Sequence, residues 1–423
     1  MEDPSSSRDN WAGNVTYRAG TLHLPRSVDD VRSIVRAARR LRPLGTRHSF
    51  NDIADTDGDQ ISLAEVEPRL AIDPAARTVT VDAGQRYGDL SAALDTAGFA
   101  LPNLASLPHI SIAGACATGT HGSGQGNGIL ATAVTEIELV TADGEVRTFR
   151  RGDESFPAAA TSLGALGVVS ALTLAIEPAF QIAQEVYEDL PIGVALESID
   201  DILGSGYSVS LFTEWREPVI DQIWRKVRVG VDDEQLPDVL AGARPATVDR
   251  HPIRGVPAEN CTPQLGVGGP WHERLPHFRL DHTPSSGDEL QSEVFVALED
   301  ARAALEALLP LRESISGVVQ VTEIRSIAAD DIWLSPAYGR DSFAIHFTWQ
   351  PRPEAVLAVM REIDRVLRPF DARPHWGKVI SMSPDEVRAR YQHLPAFVEL
   401  ARSFDPKGTF RNAFLDRFVF GAD

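Results

Sequence analysis

The stretch from Leu101 to Gly128, LPNLASLPHISIAGACATGTHGSGQGNG, constrains this chain more than any other. It holds six glycines between Gly114 and Gly128 and no Asp, Glu, Lys or Arg. Segments without bulky side chains let backbone N–H groups approach a ligand, and successive N–H groups facing one concavity hold an anion. Glycine and serine also build flexible surface loops. Here Leu107, Ile110, Ile112, Ala113, Ala115 and Ala117 are interleaved with the glycines, and packing residues of that kind belong to a buried loop. The stretch reads as a diphosphate cradle. GxxxxGK[ST] is absent, and the series Gly122, Gly124, Gly126, Gly128 is not GxGxxG, which speaks against a P-loop kinase or a Rossmann dehydrogenase.

A chain of 423 residues exceeds one small core and predicts two domains, one inserted into the other being one arrangement. Sixty acidic against forty basic residues give a formal charge of −20, which repels nucleic acid and anionic membrane surfaces. No apolar window is long enough for a transmembrane helix, and the polar start MEDPSSSRDNWAGN does not resemble a Sec signal. Cys116 and Cys261 cannot form a disulfide framework, so a reducing cytoplasm is expected, and a monomer with it. No zinc or iron–sulfur spacing occurs, so no metal is expected.

Val28, Val31, Ile34, Val35 and Ala38 share a helical face, with Ser27 placed to cap it. DQISLAEV, RLAIDPAARTVTVDAG and DLSAALDTAG continue as strand, hairpin and helix. AVTEIELVTADGEVRTF is a hairpin turning at Asp143-Gly144. This order predicts an α+β fold and does not alternate as a TIM barrel would. From about residue 180 to 380 longer strands, QIAQEVYEDL, YSVSLFTEW, VVQVTEIRSI and SFAIHFTW, mix with helical runs near 288–314 and 353–368. A proline-rich zone from Gly230 to Ser286, including Pro284, reads either as a cover over a site or as an excursion without function. The tail after Lys378 reads as helices, a turn and an extended end.

Residue types then point to chemistry. His48 follows a short strand in GTRHSFN. On VTEIRSI, a spacing of two puts Glu323 and Arg325 on one face of a strand that looks buried, and a buried charge pair needs a reason. The same spacing joins His346 to Thr348 on FAIHFTW, and HWGK adds His375 and Lys378. These are the walls of a polar pocket for hydroxyl groups.

Together, GTRHSFN, PNLASLPHISIAGACATGTHGSG, SLGALG, the ExR and HxT strands, HWGK and DPKGTFRNAF resemble the FAD-linked oxidases of the vanillyl-alcohol oxidase type, over essentially the whole chain. GxxHS and HWxK are shared with the aldonolactone oxidases. The blocks PNLASLPHISIAG, CTPQLGVGGPWHERLPHFR and DDIWLSPAYGRDSFAIHFTW are more similar to the alditol oxidase branch.

The resemblance implies a two-domain α+β fold of the PCMH type. The FAD-binding domain would use residues 1–178 and 379–423, and an inserted substrate domain, 179–378, would be built on an antiparallel sheet. It implies oxidation of the terminal CH–OH of alditols such as xylitol and sorbitol to the aldose, with O2 reduced to H2O2; aldonolactone oxidation is the alternative. By the resemblance His48 bonds covalently to the flavin, and Cys116 comes too late in its motif for a second bond. Gly45, Thr46, Arg47, Ser49, Ser106, Ser111, Gly114, Thr118, Gly119, His121, Gly122, Gly167, Val168, Lys378 and Asn412 complete the implied cofactor set. Ser106, Glu323, Arg325, His346, Thr348 and Lys378 are the implied substrate residues, with Lys378, Arg325 and His346 catalytic. Ala105 and Ser106 would face the reactive ring.

Overall fold

A computed structural model describes residues 8–232, 238–282 and 289–421. The expected first helix forms at Val28–Ala37. Ser27 and Asp30 close a reciprocal capping box, and Val31 and Val35 are buried. Beside it lies a parallel three-stranded sheet in the order Leu22–His23, Asp59–Ile61, Leu41–Pro43. A five-stranded antiparallel sheet follows in the order Leu70–Asp73, Thr78–Asp82, Val168–Ala175, Val134–Val140, Val146–Arg150. Gly144 takes φ +74° in the second hairpin turn, a conformation that suits glycine. Within the glycine-rich stretch, Ile112–Ala117 winds into a short helix where a loop was expected, because Ile112, Ala115 and Cys116 pack into the core.

The middle of the chain is a nine-stranded, antiparallel sheet. Its central strands run in the order Gln181–Pro191, Val219–Arg228, Ser208–Thr213, Val319–Ile327, Ser342–Trp349, Leu290–Ala297. Side chains alternate across a strand. Ile324 therefore faces a cavity shared with Leu305 and Leu309 of the covering helical layer, while Glu323 and Arg325 face the opposite side. Helices Ala301–Leu308 and Pro353–Leu367 bury Leu305, Leu308, Val356, Met360 and Ile363 against that layer.

Two further expectations need correction. The run near 288–314 is helical only from its middle onward: Leu290–Ala297 is a strand, and Ala301–Leu308 is the helix. The strand is buried almost throughout, so its apolar residues do not reveal a period. The tail is not extended after residue 412, because Ala413–Leu415 and Asp416–Phe420 are helical. Asn412 caps the first of them through its side chain, which accepts from Leu415 N–H. Pro284 and Ser286 of the proline-rich zone lie outside the described residues.

The two ends of the chain meet. The Leu41 N–H donates to Thr409 O at 2.8 Å. The buried Arg42 guanidinium donates to four carbonyls, of Ile53, Leu163, Gly164 and Phe410. Asn51 Nδ2 donates to the carbonyls of Trp376 and Lys378, locking the His48 loop to the HWGK loop.

Candidate active site

One continuous cavity of about 340 Å³ runs between the glycine-rich cradle and the polar face of the large sheet. Of the residues singled out from sequence, Gly45, Thr46, Arg47, His48, Ser49, Ala105, Ser106, Ser111, Gly114, Thr118, His121, Gly167, Val168, Glu323, Arg325, His346, Thr348 and Lys378 line it. Three do not. Gly119 is turned against Pro336, and Gly122 is packed on Leu104 O and the Asn103 side chain. Asn412 spends its amide N–H groups on the carbonyls of Asp52, Ile53 and Asp55.

At the cradle end the chain approaches itself closely. A Cβ on Gly45 would lie 2.5 Å from Ser111 Oγ, and one on Gly114 would lie 2.7 Å from the same atom. Thr46 Oγ1 accepts from the Ser111 N–H at 3.1 Å, which ties the His48 loop to the short helix. The N–H groups of Gly45, Thr46, His48, Ser49, Ala113 and Gly114 meet no acceptor among the described residues. Gly45 is exposed and the other five residues are half-buried, so these N–H groups stay open to a ligand, and a cluster of such donors at a glycine-lined wall fits a diphosphate.

His48 stands where this end meets the rest of the cavity. Its ring is half-buried, stacks on Trp11 at 5.4 Å, and places Nδ1 3.0 Å from Thr46 Oγ1. Burial, with the nearby His109 and Lys378 acting the same way, pulls its pKa down to about 4. The ring is therefore neutral near pH 7 and keeps a nucleophilic lone pair.

The polar end is a row across three strands: Glu293, His346 and Glu323 are register partners. Glu293 Oε1 accepts from Arg325 Nη2 at 2.8 Å and pairs with His121 Nε2 at 3.1 Å. Its Oε2 lies 3.5 Å from His346 Nδ1, an electrostatic contact whose geometry falls short of a hydrogen bond. Burial alone would raise the Glu293 pKa, but His121, Arg325 and His346 outweigh it and hold it well below the usual range. Burial likewise opposes ionisation of Glu323, and Arg325 and His277 overcome it. Thr348 Oγ1 sits 3.4 Å from His346 Nε2. Lys378 Nζ donates to Gln291 Oε1 and lies 4.8 Å from the Phe50 ring. Burial brings Lys378 down to about 8, with Glu293 opposing.

Glu293, Gln291, Glu289 and His277 line the same cavity and were missed from sequence. Gln291 and Glu293 have the spacing of two that marked the Glu323/Arg325 and His346/Thr348 pairs, so the signal was present in LQSEVFVA. Assigning that segment to a helix removed it from view.

Comparison with known proteins supplies the class. Residues 21–150 match the FAD binding domain family, and residues 290–418 match the D-arabinono-1,4-lactone oxidase family. The cholesterol oxidase of B. sterolicum superposes with a TM-score of 0.76 at 14% identity, over 98% of this chain and 96% of its own, which shows a shared fold. The fold is that of a two-domain FAD-dependent oxidase. An alditol oxidase from Streptomyces sp. (strain IKD472 / FERM P-14339) is 50% identical over 99% of this chain and 100% of its own length. L-gulono-1,4-lactone dehydrogenase of Mycobacterium tuberculosis is more distant, at 27% identity over 97% of this chain and 98% of its own. The chain belongs to the alditol oxidase family.

Proposed function

We propose that this chain oxidises the terminal CH–OH of open-chain polyols such as xylitol and sorbitol to the aldose and passes the electrons to oxygen, giving hydrogen peroxide. The observation that carries the reading is the single cavity, which joins an N–H-lined cradle to a wall where donors and acceptors alternate. A polyol offers a donor and an acceptor at each hydroxyl. Glu323 accepts, Arg325 and Lys378 donate, and His346 and Thr348 do either. Bound FAD supplies the hydride acceptor, and the cradle residues Gly45–Ser49, Ser111 and Gly114 would hold its diphosphate.

The protein's own part is charge placement. The Glu293 carboxylate beside Nδ1 favours the proton there, so His346 Nε2 is the atom that takes the hydroxyl proton. Lys378 and Arg325 stabilise the alkoxide charge as it develops. His48 would hold the flavin through one covalent bond. Its neutral ring supports this, and neither cysteine is among the residues lining the cavity. Residues 1–178 and 379–423 form the FAD-binding unit, and 179–378 the inserted substrate unit. The free, buried state of Cys116 and Cys261 supports a reducing, cytoplasmic setting.

The match of residues 290–418 to a lactone oxidase model favours one second reading, oxidation of an aldonolactone. Steady-state peroxide production by the purified protein separates the two. Turnover with xylitol or sorbitol is expected, and turnover with L-gulono-1,4-lactone alone would sink the alditol reading. Acid precipitation should leave the yellow colour in the pellet, and His48→Ala should release it to the supernatant.

A further inference from the structure

The proline-rich excursion sends one side chain into the polar end that the scheme above leaves unused. His277 is buried with Nε2 2.7 Å from Glu323 Oε1. Its Nδ1 faces Lys226 Nζ at 3.2 Å. Lys226 is 1% exposed on the strand Val219–Arg228, and its Nζ also contacts Leu275 O at 2.5 Å and Pro276 O at 3.5 Å. An ionised carboxylate only accepts, so the His277 proton lies on Nε2. Burial holds the ring at about 4, hence neutral at pH 7, and Nδ1 is left to accept from Lys226. Lys226 thus fixes the tautomer, and its donors bind three consecutive residues of the excursion.

The backbone of the same segment clamps the cavity from another side. The N–H groups of His277 and Phe278 both donate to Ser106 O, at 3.1 and 3.2 Å. Thr262 holds the segment from behind, its Oγ1 donating to Pro276 O at 2.7 Å and its N–H to His277 O at 2.9 Å. The Glu323 carboxylate is consequently divided. Oε1 is taken by His277 and lies 3.5 Å from Arg325 Nε, whereas Oε2 meets no partner among the described residues.

We propose that His277, oriented by Lys226, is a positioning residue that turns one Glu323 oxygen away and presents the other as a lone acceptor to a hydroxyl of an open-chain polyol. A substrate offering only a carbonyl oxygen there sets acceptor against acceptor, so the same device selects against lactones. The proposal rests on the alditol reading of the site.

The test compares His277→Leu, which keeps bulk and removes the ring's polar contacts with Glu323, Lys226 and, at 3.5 Å, Ser210, with His277→Gln, whose amide can accept from Lys226 and donate to Glu323. With xylitol, His277→Leu should raise KM at least about tenfold, the scale of one lost hydrogen bond to a charged group, with kcat changed far less and flavin content unchanged. His277→Gln should stay within about threefold of wild type. In a Glu323→Gln background, His277→Leu should add less than about twofold. A wild-type KM in His277→Leu, or a His277→Gln variant as impaired as His277→Leu, overturns the proposal. Should His277→Leu fail to fold, Lys226→Met serves: a raised KM is expected, and an unchanged one overturns it. If the wild type itself makes no peroxide from xylitol, the parent reading has failed. Nitrogen-15 spectra of histidine-labelled protein, assigned by the peak lost in His277→Gln, still test the positioning: a protonated Nδ1 refutes it.

Discussion

Replacing Glu293 by glutamine tests whether the polar end is held from behind. The Glu293 side chain is 1% exposed and faces Arg325 at 2.8 Å, His121 at 3.1 Å and His346 at 3.5 Å. Breaking a buried ion pair costs roughly 3–5 kcal/mol, because the surviving charge stays buried. Glutamine keeps one acceptor oxygen and recovers about 1 kcal/mol, so a net loss of about 3 kcal/mol is expected. At about 2.1 cal/mol/K per residue, that is a fall in Tm of about 3 °C for a unit of this size. The guanidinium of Arg325 loses its closest anchor, and, on the proposal that Arg325 binds substrate, its misplacement by an ångström costs about 10²-fold in kcat/KM.

The measurements are thermal unfolding and peroxide release with xylitol. The pH dependence sharpens the test. The folded-state pKa of Glu293 is depressed, so the unfolded chain takes up the proton first as pH falls. The stabilisation is complete above the ordinary glutamate value of 4.5 and is lost as pH drops through the folded value. The gap between wild type and Glu293→Gln should therefore close below pH 4.5. A variant with unchanged Tm and kcat/KM within twofold of wild type would refute the reasoning.

Lys378→Met keeps the apolar stem near Phe50 and removes the charge; flavin content should hold while kcat falls about 10²–10³-fold, read by anaerobic bleaching of the flavin. Gly45→Ala forces a Cβ against Ser111 Oγ and should lower the flavin bound per chain, and adding Ser111→Ala should restore it, as absorbance ratios will show. His277 is held at about 4, below the ordinary histidine value of 6.5, so its contribution to stability is complete above pH 6.5 and is lost as pH falls towards 4. His277→Gln should flatten the fall of Tm between pH 6.5 and 5.

Local signals carried the sequence reading wherever one face of an element met water. The Val28–Ala37 helix has a polar face and a capping box, and the second hairpin turns at Gly144, whose φ of +74° suits glycine. The signal failed where both faces are buried. Leu290–Ala297 and Val219–Arg228 lie inside the large sheet, and the second hides Asp221, Arg225 and Lys226 among apolar neighbours. Buried charge reads as exposed surface until its partners are known. Those partners are distant: Glu293 meets His121 across 172 positions, and Lys226 meets His277 across 51. The pairs Glu323/Arg325 and His346/Thr348 were legible because a spacing of two needs no long-range knowledge.

The four carbonyls bound by Arg42 bear on the timing of synthesis. One of them belongs to Phe410, and Asn51 likewise waits for Trp376 and Lys378. A ribosome adding roughly 5–20 residues per second makes the glycine-rich wall long before these anchors exist. The nascent chain therefore cannot close its nucleotide site while the wall is being made. Cofactor capture becomes a late event, and a chain truncated before residue 376 should emerge colourless.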